Sequence, residues 1–337
     1  MRYRVFMIMG LMSLCAATAA YAGSDLKLGS AGGQELRIPV GSRGTALGGS
    51  AVAFSSGIDA LYWNPAGAAA IQGTDLMASW RRYIADIDIG YFAVARHWGD
   101  AGVFGVTAKI LSVPDEVVTT VDYPDGNGET YSSSFSVVGL SYARELTDRV
   151  SLGLNGNLVY EKIADQSATG VVFDIGFRYE PGWNNLSFGG VIKNLGPKMR
   201  YDGSGFDVST PTADDPNGLP HTTRTQSATF ELPSYVQLGV GYKAYDLNRS
   251  VVNLSGSFQS NNFAQDEFRF GAEYTFDQKY SLRGGYSTSK QKDYLYGFCA
   301  GAGAAVKLGE TTVHIDYAWS QTEFFDDSHY ITFQIGF

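Results

Sequence analysis

The sequence predicts an all-β fold: a transmembrane antiparallel β-barrel of about 14 strands, preceded by an N-terminal plug or hatch segment. The chain contains 41 Gly, 21 Tyr and 20 Phe but only 10 Pro, and 18% of its residues are charged. Soluble domains are charged at roughly a quarter of their positions. Apolar and polar residues alternate along most of the chain, and no apolar run after the N-terminus reaches the roughly 20 residues of a spanning helix.

Residues 1–22 have the organisation of a secretory signal peptide. A short region with two arginines precedes an apolar core, and residues 20–22 read Ala-Tyr-Ala, an A-x-A cleavage site. Cys15 suggests a lipoprotein as the alternative, but Leu14 stands where a lipobox needs Gly or Ala. The sequence therefore predicts export to the bacterial outer membrane, with Cys299 as the single remaining cysteine and no intramolecular disulfide.

Period-two alternation is the main indication of strands. In EFRFGAEYTF (267–276) one face carries Phe, Ala and Tyr, and the other carries Glu, Arg, Gly and Thr. Residues 172–179 and 312–320 alternate in the same way. A soluble β-sandwich would also alternate, but here one face is continuously large and aromatic while the other mixes glycine with charges of both signs. That pattern is typical of a lipid-facing wall around a polar lumen.

The alternation divides the chain into three parts: a signal peptide (1–22), a plug (23–74) and a barrel (75–337). Strands are predicted at about 75–83, 86–98, 101–112, 133–145, 150–163, 169–181, 186–194, 232–245, 251–259, 267–276, 280–287, 295–308, 311–320 and 328–337. Short connections follow the even-numbered strands. The two long loops, 113–132 and 195–231, both follow odd-numbered strands, so they are expected on the same, extracellular side.

Aromatic residues also mark the predicted periplasmic rim. Gly-x-x-Tyr recurs near the ends of even-numbered strands and predicts an outward-facing interfacial girdle, formed by Tyr142, Tyr179, Tyr242 and Tyr274. Cross-strand aromatic pairing in a soluble sheet is the alternative interpretation. The chain ends with a strand whose last residue, Phe337, resembles the assembly signal of bacterial outer-membrane barrels.

The plug segment contains DALYWNPAGAAA (59–70), an apolar stretch that Asn64 and Pro65 interrupt. Together with R-x-x-A-L-G-G-S-A-V-A it resembles the start of PorV/PorQ-type proteins, within the superfamily of FadL-type outer-membrane transporters. The similarity continues in the segments 111–126, 140–155, 193–197, 271–286 and 315–320. The resemblance implies a fourteen-stranded barrel and a hatch that contains Trp63, Asn64, Pro65 and Ala66.

The strand parity also predicts which charged residues point into the lumen. They are Lys109, Asp174, Arg178, Lys193, Lys243, Arg269, Glu273, Arg283, His314 and Asp316. Charges of both signs favour the interpretation that these residues form ion pairs which hold a plug. An ion-selective channel would instead carry charges of one dominant sign. Cys299 is also expected to point inward, as a small space-filling residue or as a reactive thiol.

The residues that could carry catalysis or bind a metal form no recognisable site. His314, Asp316 and Ser320 share one face, but no nucleophile elbow accompanies them, so we predict no enzyme and no cofactor. The loop 122–129 offers oxygen ligands but lacks the EF-hand spacing, so no metal site is predicted. A net charge of −9 argues against nucleic acid as a partner.

Two functions follow from the resemblance. PorV-type proteins act with type IX secretion machinery and receive exported cargo at the outer membrane, whereas FadL-type barrels pass hydrophobic molecules such as long-chain fatty acids. The sequence resembles the PorV/PorQ type more closely, which favours secretion. Loop 195–231 has few large apolar residues, which also counts against a lipid-capturing surface. Expected partners are outer-membrane lipid and either secretion proteins with their cargo or hydrophobic small molecules.

Overall fold

A closed antiparallel barrel of fourteen strands forms the body of the protein. The computed structural model describes residues 27–183, 185–210, 221–247 and 249–337, so the predicted signal peptide lies outside the described residues. The barrel strands are β1 (Thr74–Arg82), β2 (Asp88–His97), β3 (Val103–Ser112), β4 (Ser133–Thr147), β5 (Val150–Ile163), β6 (Gln166–Tyr179), β7 (Leu186–Leu195), β8 (Tyr235–Leu247), β9 (Ser250–Asn261), β10 (Glu267–Phe276), β11 (Tyr280–Ser289), β12 (Tyr296–Leu308), β13 (Thr311–Thr322) and β14 (Ser328–Gly336).

Each strand pairs with its neighbours in the chain, and the first strand also pairs with the last. At this seam the register runs from Asp75 opposite Gly336 to Arg82 opposite His329. Closure leaves no sheet edge, which a barrel surrounded by lipid requires because hydrocarbon offers no hydrogen-bond partners. The predicted fourteen-stranded barrel is confirmed.

The two faces of the wall differ as the alternation predicts. In β10 the side chains of Glu267 and Glu273 are 2% and 3% exposed, whereas Phe270 and Tyr274 on the other face are 46% and 40% exposed. Lipid, rather than protein, must therefore cover the aromatic face. Within the described ranges, no helix is long and apolar enough to cross a membrane.

The connections at the two ends of the barrel differ in length. The end that carries both barrel termini has only short turns, and in a barrel of this kind it is the periplasmic end. The two long loops, 113–132 and 196–234, lie at the opposite end. They contain short strands that the sequence pattern did not predict: Glu116–Val117, Thr130–Tyr131, Met199–Arg200, Asp202–Gly203, Asp207–Thr210, His221–Arg224 and Thr229–Phe230.

The N-terminal segment lies inside the barrel and is built from short helical turns. Two are α-helical, α1 (Ser42–Ala46) and α2 (Ala60–Trp63), and the others are 3₁₀ turns at Gln34–Arg37, Ala51–Ala53, Gly57–Asp59 and Pro65–Ala70. Further 3₁₀ turns occur in barrel connections at Ile84–Asp86, Gly99–Ala101 and Ser204–Phe206. The helical turns of the N-terminal segment contact strands on every side of the barrel, including β1, β4 and β14.

This segment runs through the lumen from one end of the barrel to the other. Near its start, the Gly32 amide donates to the carbonyl of Glu231 in the second long loop, at 3.1 Å. At its finish, the Gly73 carbonyl accepts from the His97 amide at 2.9 Å, beside a periplasmic turn. The chain therefore enters at the extracellular end and leaves at the periplasmic end, where β1 begins.

Candidate functional site

Asn64 fixes the break in the apolar stretch of the N-terminal segment. Helix α2 ends before it, and Asn64 is extended, with φ −156° and ψ 102°. Its Oδ1 accepts from the Ala66 amide at 3.2 Å and so caps the next turn, which begins with Pro65. Its Nδ2 donates to the carbonyls of Val52 at 2.7 Å and of Phe177 in β6 at 3.0 Å. One fully buried amide thus forms the bend and joins it to the wall.

Glycines in the wall allow the backbone of this bend to approach closely. A Cβ atom on Gly153 would lie 2.2 Å from the carbonyl carbon of Pro65, and one on Gly176 would lie 2.2 Å from Asn64 Oδ1. Both distances are impossible for a side chain. Within the plug, the Trp63 indole covers Gly44 in the same way and meets the Tyr62 ring edge-to-face at 5.1 Å. Small residues are therefore required by contact between the plug and the wall.

Four charged residues connect the plug to the wall near the periplasmic end. Arg43, in α1, donates to both carboxylate oxygens of Glu273, each at 3.0 Å. Arg283 donates to Glu273 at 2.7 Å and also pairs with Asp316. The carboxylate of Glu273 raises the pKa of the Arg43 guanidinium above its usual range. We call these four residues the periplasmic anchor; each buried charge in it faces an opposite one.

Asp59 lies beside this anchor. Its Oδ2 accepts from Gln334 Nε2 at 2.9 Å, while its Oδ1 is buried without a hydrogen-bond partner. The pKa of Asp59 is raised overall, because the effect of burial exceeds the opposing effect of the neighbouring Arg43.

Amines and amides of the wall also bind main-chain carbonyls of the plug. Lys193 donates to the Tyr62 carbonyl at 2.6 Å, and Asn155 donates to the Leu61 carbonyl at 2.9 Å. Lys109 donates to the carbonyls of Glu35 at 2.5 Å and of Ile38 at 2.6 Å. These bonds satisfy carbonyls that short helical turns leave without partners.

Asp174 binds three asparagines on the other side of the lumen. It is 3% exposed. It accepts hydrogen bonds from the side-chain amides of Asn155 and Asn157, each at 3.2 Å, and from the main-chain amide of Asn194 at 2.9 Å. Asn194 has φ 59°, at an irregularity where the pairing of β7 with β6 shifts register. The shift leaves both Lys193 and Asn194 buried against the lumen contents.

A second cluster of opposite charges lies nearer the extracellular end. Glu267 accepts from Arg37 of the plug at 2.9 Å and from Arg269 at 2.7 Å. It also accepts from the Tyr294 hydroxyl at 2.8 Å and the Asn261 amide at 3.0 Å. The cluster neutralises one buried carboxylate with two guanidinium groups.

Three of the residues expected to point inward lie away from these clusters. Arg178 is half-buried and pairs with Glu180. Lys243 is exposed and pairs with Asp246 at 3.2 Å, beside a register shift in β8, and its inward orientation stays a prediction. His314 is exposed at the periplasmic mouth.

The three residues that shared one face in β13 do not form a catalytic triad. His314 and Ser320 are six residues apart in one strand, which separates them by about 20 Å. Ser320 Oγ is instead the hydrogen-bond partner of Cys299 at 3.4 Å, and Asp316 pairs with Arg283. Within the described ranges, no group of three or more His, Cys, Asp or Glu residues is placed to hold a metal ion.

The aromatic residues singled out from the sequence lie on the outer face. Tyr179, Tyr242 and Tyr274 are 37–40% exposed, and Tyr142 is partly covered by Phe104, with ring centroids 5.0 Å apart. Phe337 exchanges backbone hydrogen bonds with Thr74, at 2.7 and 3.0 Å, and so ends the seam between β14 and β1. A girdle role for the tyrosines stays a prediction.

Two cavities lie on opposite sides of the plug. The extracellular one has a volume of about 320 Å³. Its aromatic lining comes from Tyr62, Trp63, Tyr83, Tyr235, Tyr294, Tyr296 and Tyr330, and Arg37, Glu267, Arg269 and Cys299 also line it. The periplasmic one, of about 840 Å³, is lined by the periplasmic anchor, Asp59 and His314. Residues of the plug line both cavities.

Sequence reasoning missed several buried charged residues, among them Arg81, Glu35 and Glu161. Arg81 is 2% exposed and lies between the rings of Tyr83 and Tyr330, at 4.2 and 4.4 Å. The parity of β1 could have predicted that it points inward. Glu35 of the plug and Glu161 of the wall are both buried, and the charge of Glu161 contributes to the raised pKa of Glu35. No local pattern marks that pair, because its members come from distant segments.

Comparison with known proteins places this barrel in a family. The model of the uncharacterised protein family UPF0164 matches residues 10–337. The chain belongs to this family. A search of curated proteins finds no match.

Solved structures have the same fold at low sequence identity. The Pseudomonas putida toluene transporter TodX is similar over 87% of this chain and 96% of its own, with a TM-score of 0.56 and 13% identity. The Ralstonia pickettii toluene transporter TbuX matches over 88% and 98%, with a TM-score of 0.54 and 13% identity. A FadL homologue from Pseudomonas aeruginosa matches over 88% and 98%, with a TM-score of 0.53 and 11% identity. The UPF0164 chain therefore has the fold of FadL-type outer-membrane barrels.

Proposed function

We propose that this protein carries small hydrophobic compounds across the outer membrane through the cavity on the extracellular side of its plug. The observation that carries the proposal is the aromatic lining of this 320 Å³ cavity. An apolar cavity of about 150 Å³ is large enough for benzene. The present cavity therefore has room for a one-ring or two-ring compound, but a long acyl chain would have to extend beyond it.

The names of the structural relatives support the same class of compound, since two of them are toluene transporters. The second cavity provides the exit side of the path. A compound held beside Tyr62 and Trp63 would have to pass the plug to reach the periplasmic cavity, so transport requires the plug to rearrange.

A cavity-filling substitution tests this proposal. Cys299 lines the cavity, whereas its neighbour Phe298 faces outward and is 60% exposed. We expect Cys299→Trp to lower toluene uptake by cells at least several-fold, because the added ring occupies the cavity. Phe298→Trp adds bulk at the same height on the lipid side and should leave uptake unchanged.

The uptake assay is paired with toluene binding to the purified barrel in detergent. Loss of both binding and uptake in Cys299→Trp alone supports the proposal. Wild-type protein that neither binds nor takes up toluene, naphthalene or a short-chain phenol would refute it. Equal behaviour of the two tryptophan variants would also count against this cavity as the path.

A role beside the type IX secretion machinery, implied by the resemblance to PorV/PorQ-type proteins, is the second candidate. Exposed apolar side chains on the extracellular loops favour it, since Val121 is fully exposed and Tyr123 is 60% exposed. A contiguous exposed apolar patch of several hundred Å² marks a protein-binding surface, and these two side chains would contribute to one. Cross-linking in cells should then yield a secretion-protein adduct that the double variant Val121→Ser/Tyr123→Ser loses. A source genome without other type IX components would rule this role out.

A further inference from the structure

We propose that the extracellular cavity selects phenols, that is, neutral aromatic compounds with a hydroxyl group, and that the side-chain oxygen of Gln259 accepts the hydrogen bond from this group. The inference rests on the proposed function, because it concerns the same cavity, and it names a narrower class of compound. A plain hydrocarbon would fill the cavity but would leave this oxygen without a partner.

Gln259 supplies a polar atom in the cavity wall that has no protein partner. The residue lies near the extracellular end of β9, lines the cavity and is 2% exposed. Its Nε2 donates to Asn261 Oδ1 at 2.7 Å, whereas its Oε1 is buried and accepts no hydrogen bond from the described residues. Buried polar atoms in proteins nearly always have a partner. This oxygen therefore indicates a position where a bound molecule donates a hydrogen bond.

Neighbouring groups determine which atom of the Gln259 amide remains free. Asn261 Nδ2 donates to the Gln265 carbonyl at 2.8 Å and to Glu267 Oε1 at 3.0 Å. The Asn261 oxygen is therefore the atom that meets Gln259, and only the Nε2 of Gln259 can donate to it. A reversed Gln259 amide would place two oxygens against each other. The free atom is thus an acceptor, and a ligand must bring a donor to pair with it.

The charges of the cavity wall favour a neutral ligand. Arg269 and Arg37 both pair with Glu267, at 2.7 and 2.9 Å. Asp293 is the other acidic residue among the described residues of the lining, so that the lining carries two charges of each sign. A carboxylate ligand would in addition bring only acceptor oxygens, which cannot pair with Gln259 Oε1.

A phenol has the chemistry that these observations require. It keeps its proton at pH 7, because phenolic hydroxyls have a pKa of about 10. Its ring can pack against the Tyr62 and Trp63 rings, which line the same cavity. A site that bonds a hydroxyl group discriminates against an analogue without the donor. The methyl ether of a phenol is such an analogue, since it keeps the ring and the oxygen but loses the hydrogen.

Binding to the purified full-length barrel in detergent tests the proposal. The probes are p-cresol, its ether 4-methylanisole, toluene and p-toluate, and the measurement is equilibrium dialysis against protein-free micelles, which corrects for partition into detergent. We expect the wild type to bind p-cresol more tightly than 4-methylanisole by a factor on the order of ten, because only p-cresol pairs with the buried oxygen. The anion p-toluate should bind more weakly than p-cresol.

Two matched variants assign the preference to one residue. Gln259→Met keeps the length of the side chain but removes the acceptor, so the ratio of the two affinities should fall close to one. Gln321→Met is the control. Gln321 lies near the extracellular end of β13 between the buried Ser320 and Thr322, so it points to the opposite, outer face, and it should keep the wild-type ratio. The heat-dependent gel shift of each variant shows that the barrel has folded.

The outcomes separate this inference from the proposed function. A wild type that binds toluene but binds p-cresol no more tightly than its ether would overturn the phenol assignment and leave the proposed function intact. Tighter binding of p-toluate than of p-cresol would also overturn it, as would a preference that survives in Gln259→Met. If none of the four compounds bound, the proposed function and the inference would both be refuted.

Discussion

The two ends of the plug differ in how their buried charges are balanced. At the periplasmic anchor, Arg43 and Arg283 face Glu273 and Asp316, so each buried charge has an opposite partner. At the extracellular end, Arg37 also pairs with Glu267, but burial and the charge of Glu161 raise the pKa of the neighbouring Glu35 to about 7. In the periplasmic anchor each charge is balanced by an opposite one, whereas the extracellular end also contains a carboxyl group whose ionisation is opposed by burial.

Removing the carboxylate at the centre of the periplasmic anchor should have the largest effect. Glu273→Ala leaves two buried guanidinium groups without their main partner, and breaking such a pair typically costs about 3–5 kcal/mol. We expect a loss of that size in the free energy of unfolding, measured by denaturant titration in detergent. Asp277→Asn is the control, because it removes a carboxylate from an exposed pair with Arg249 and should change stability little.

The bend between the two ends provides a reference that carries no charge. Asn64→Ala removes the cap of the following turn and leaves two buried carbonyls without donors, which should cost about 2–4 kcal/mol. Asn64→Asp keeps the capping oxygen but loses both amide donors, so it should not restore stability. If Asn64→Ala proved neutral in the same denaturant titration, the bend would not depend on this side chain.

Close packing at the bend should give a smaller loss. Gly153→Ala places a methyl group against Pro65, and overpacking of this kind costs about 1–3 kcal/mol. Gly284→Ala is the matched control, because a Cβ atom on Gly284 meets nothing within 4 Å. The two variants should differ in thermal unfolding, and equal melting temperatures would show that the plug can move away from Gly153 without cost.

The smallest effect on stability is expected at the extracellular end, and it should depend on pH. Burial and the charge of Glu161 raise the pKa of Glu35, so the wild type loses stability as the pH rises from 4.5 through 7. Glu35→Gln should therefore stabilise the protein at pH 8, by about 1 kcal/mol, and have little effect at pH 4.5. Stabilisation of equal size at both pH values would contradict this assignment.

Much of the wall could be predicted from the sequence, because lipid outside and polar contents inside impose an alternation that each strand displays on its own. Glu267 and Phe270 can be assigned to opposite faces without knowing any partner. Strand ends are harder to predict: β6 begins at Gln166 rather than near residue 169, because backbone pairing continues through residues with no apolar pattern.

Partnerships inside the lumen could not be predicted in the same way. Arg43 pairs with Glu273, and Arg37 with Glu267, only after closure of the barrel has brought distant segments together. Lys109 and Lys193 were expected in ion pairs, yet both donate to carbonyls of the plug. Sequence alternation indicates on which face of the wall a charged residue lies. It does not indicate which plug residue lies at the same position along the barrel axis and contacts that charge.

The path of the N-terminal segment has a consequence for how the molecule is made. Residues near Gly32 lie at one mouth of the barrel and Gly73 lies at the other, while Thr74 is paired with Phe337 at the seam. The barrel wall thus surrounds a segment of its own polypeptide chain. Joining the first strand to the last is the step that completes the enclosure. One possibility is that the plug segment already lies inside the curved sheet when β1 pairs with β14. The other is that its N-terminal end passes through the lumen after the barrel has closed.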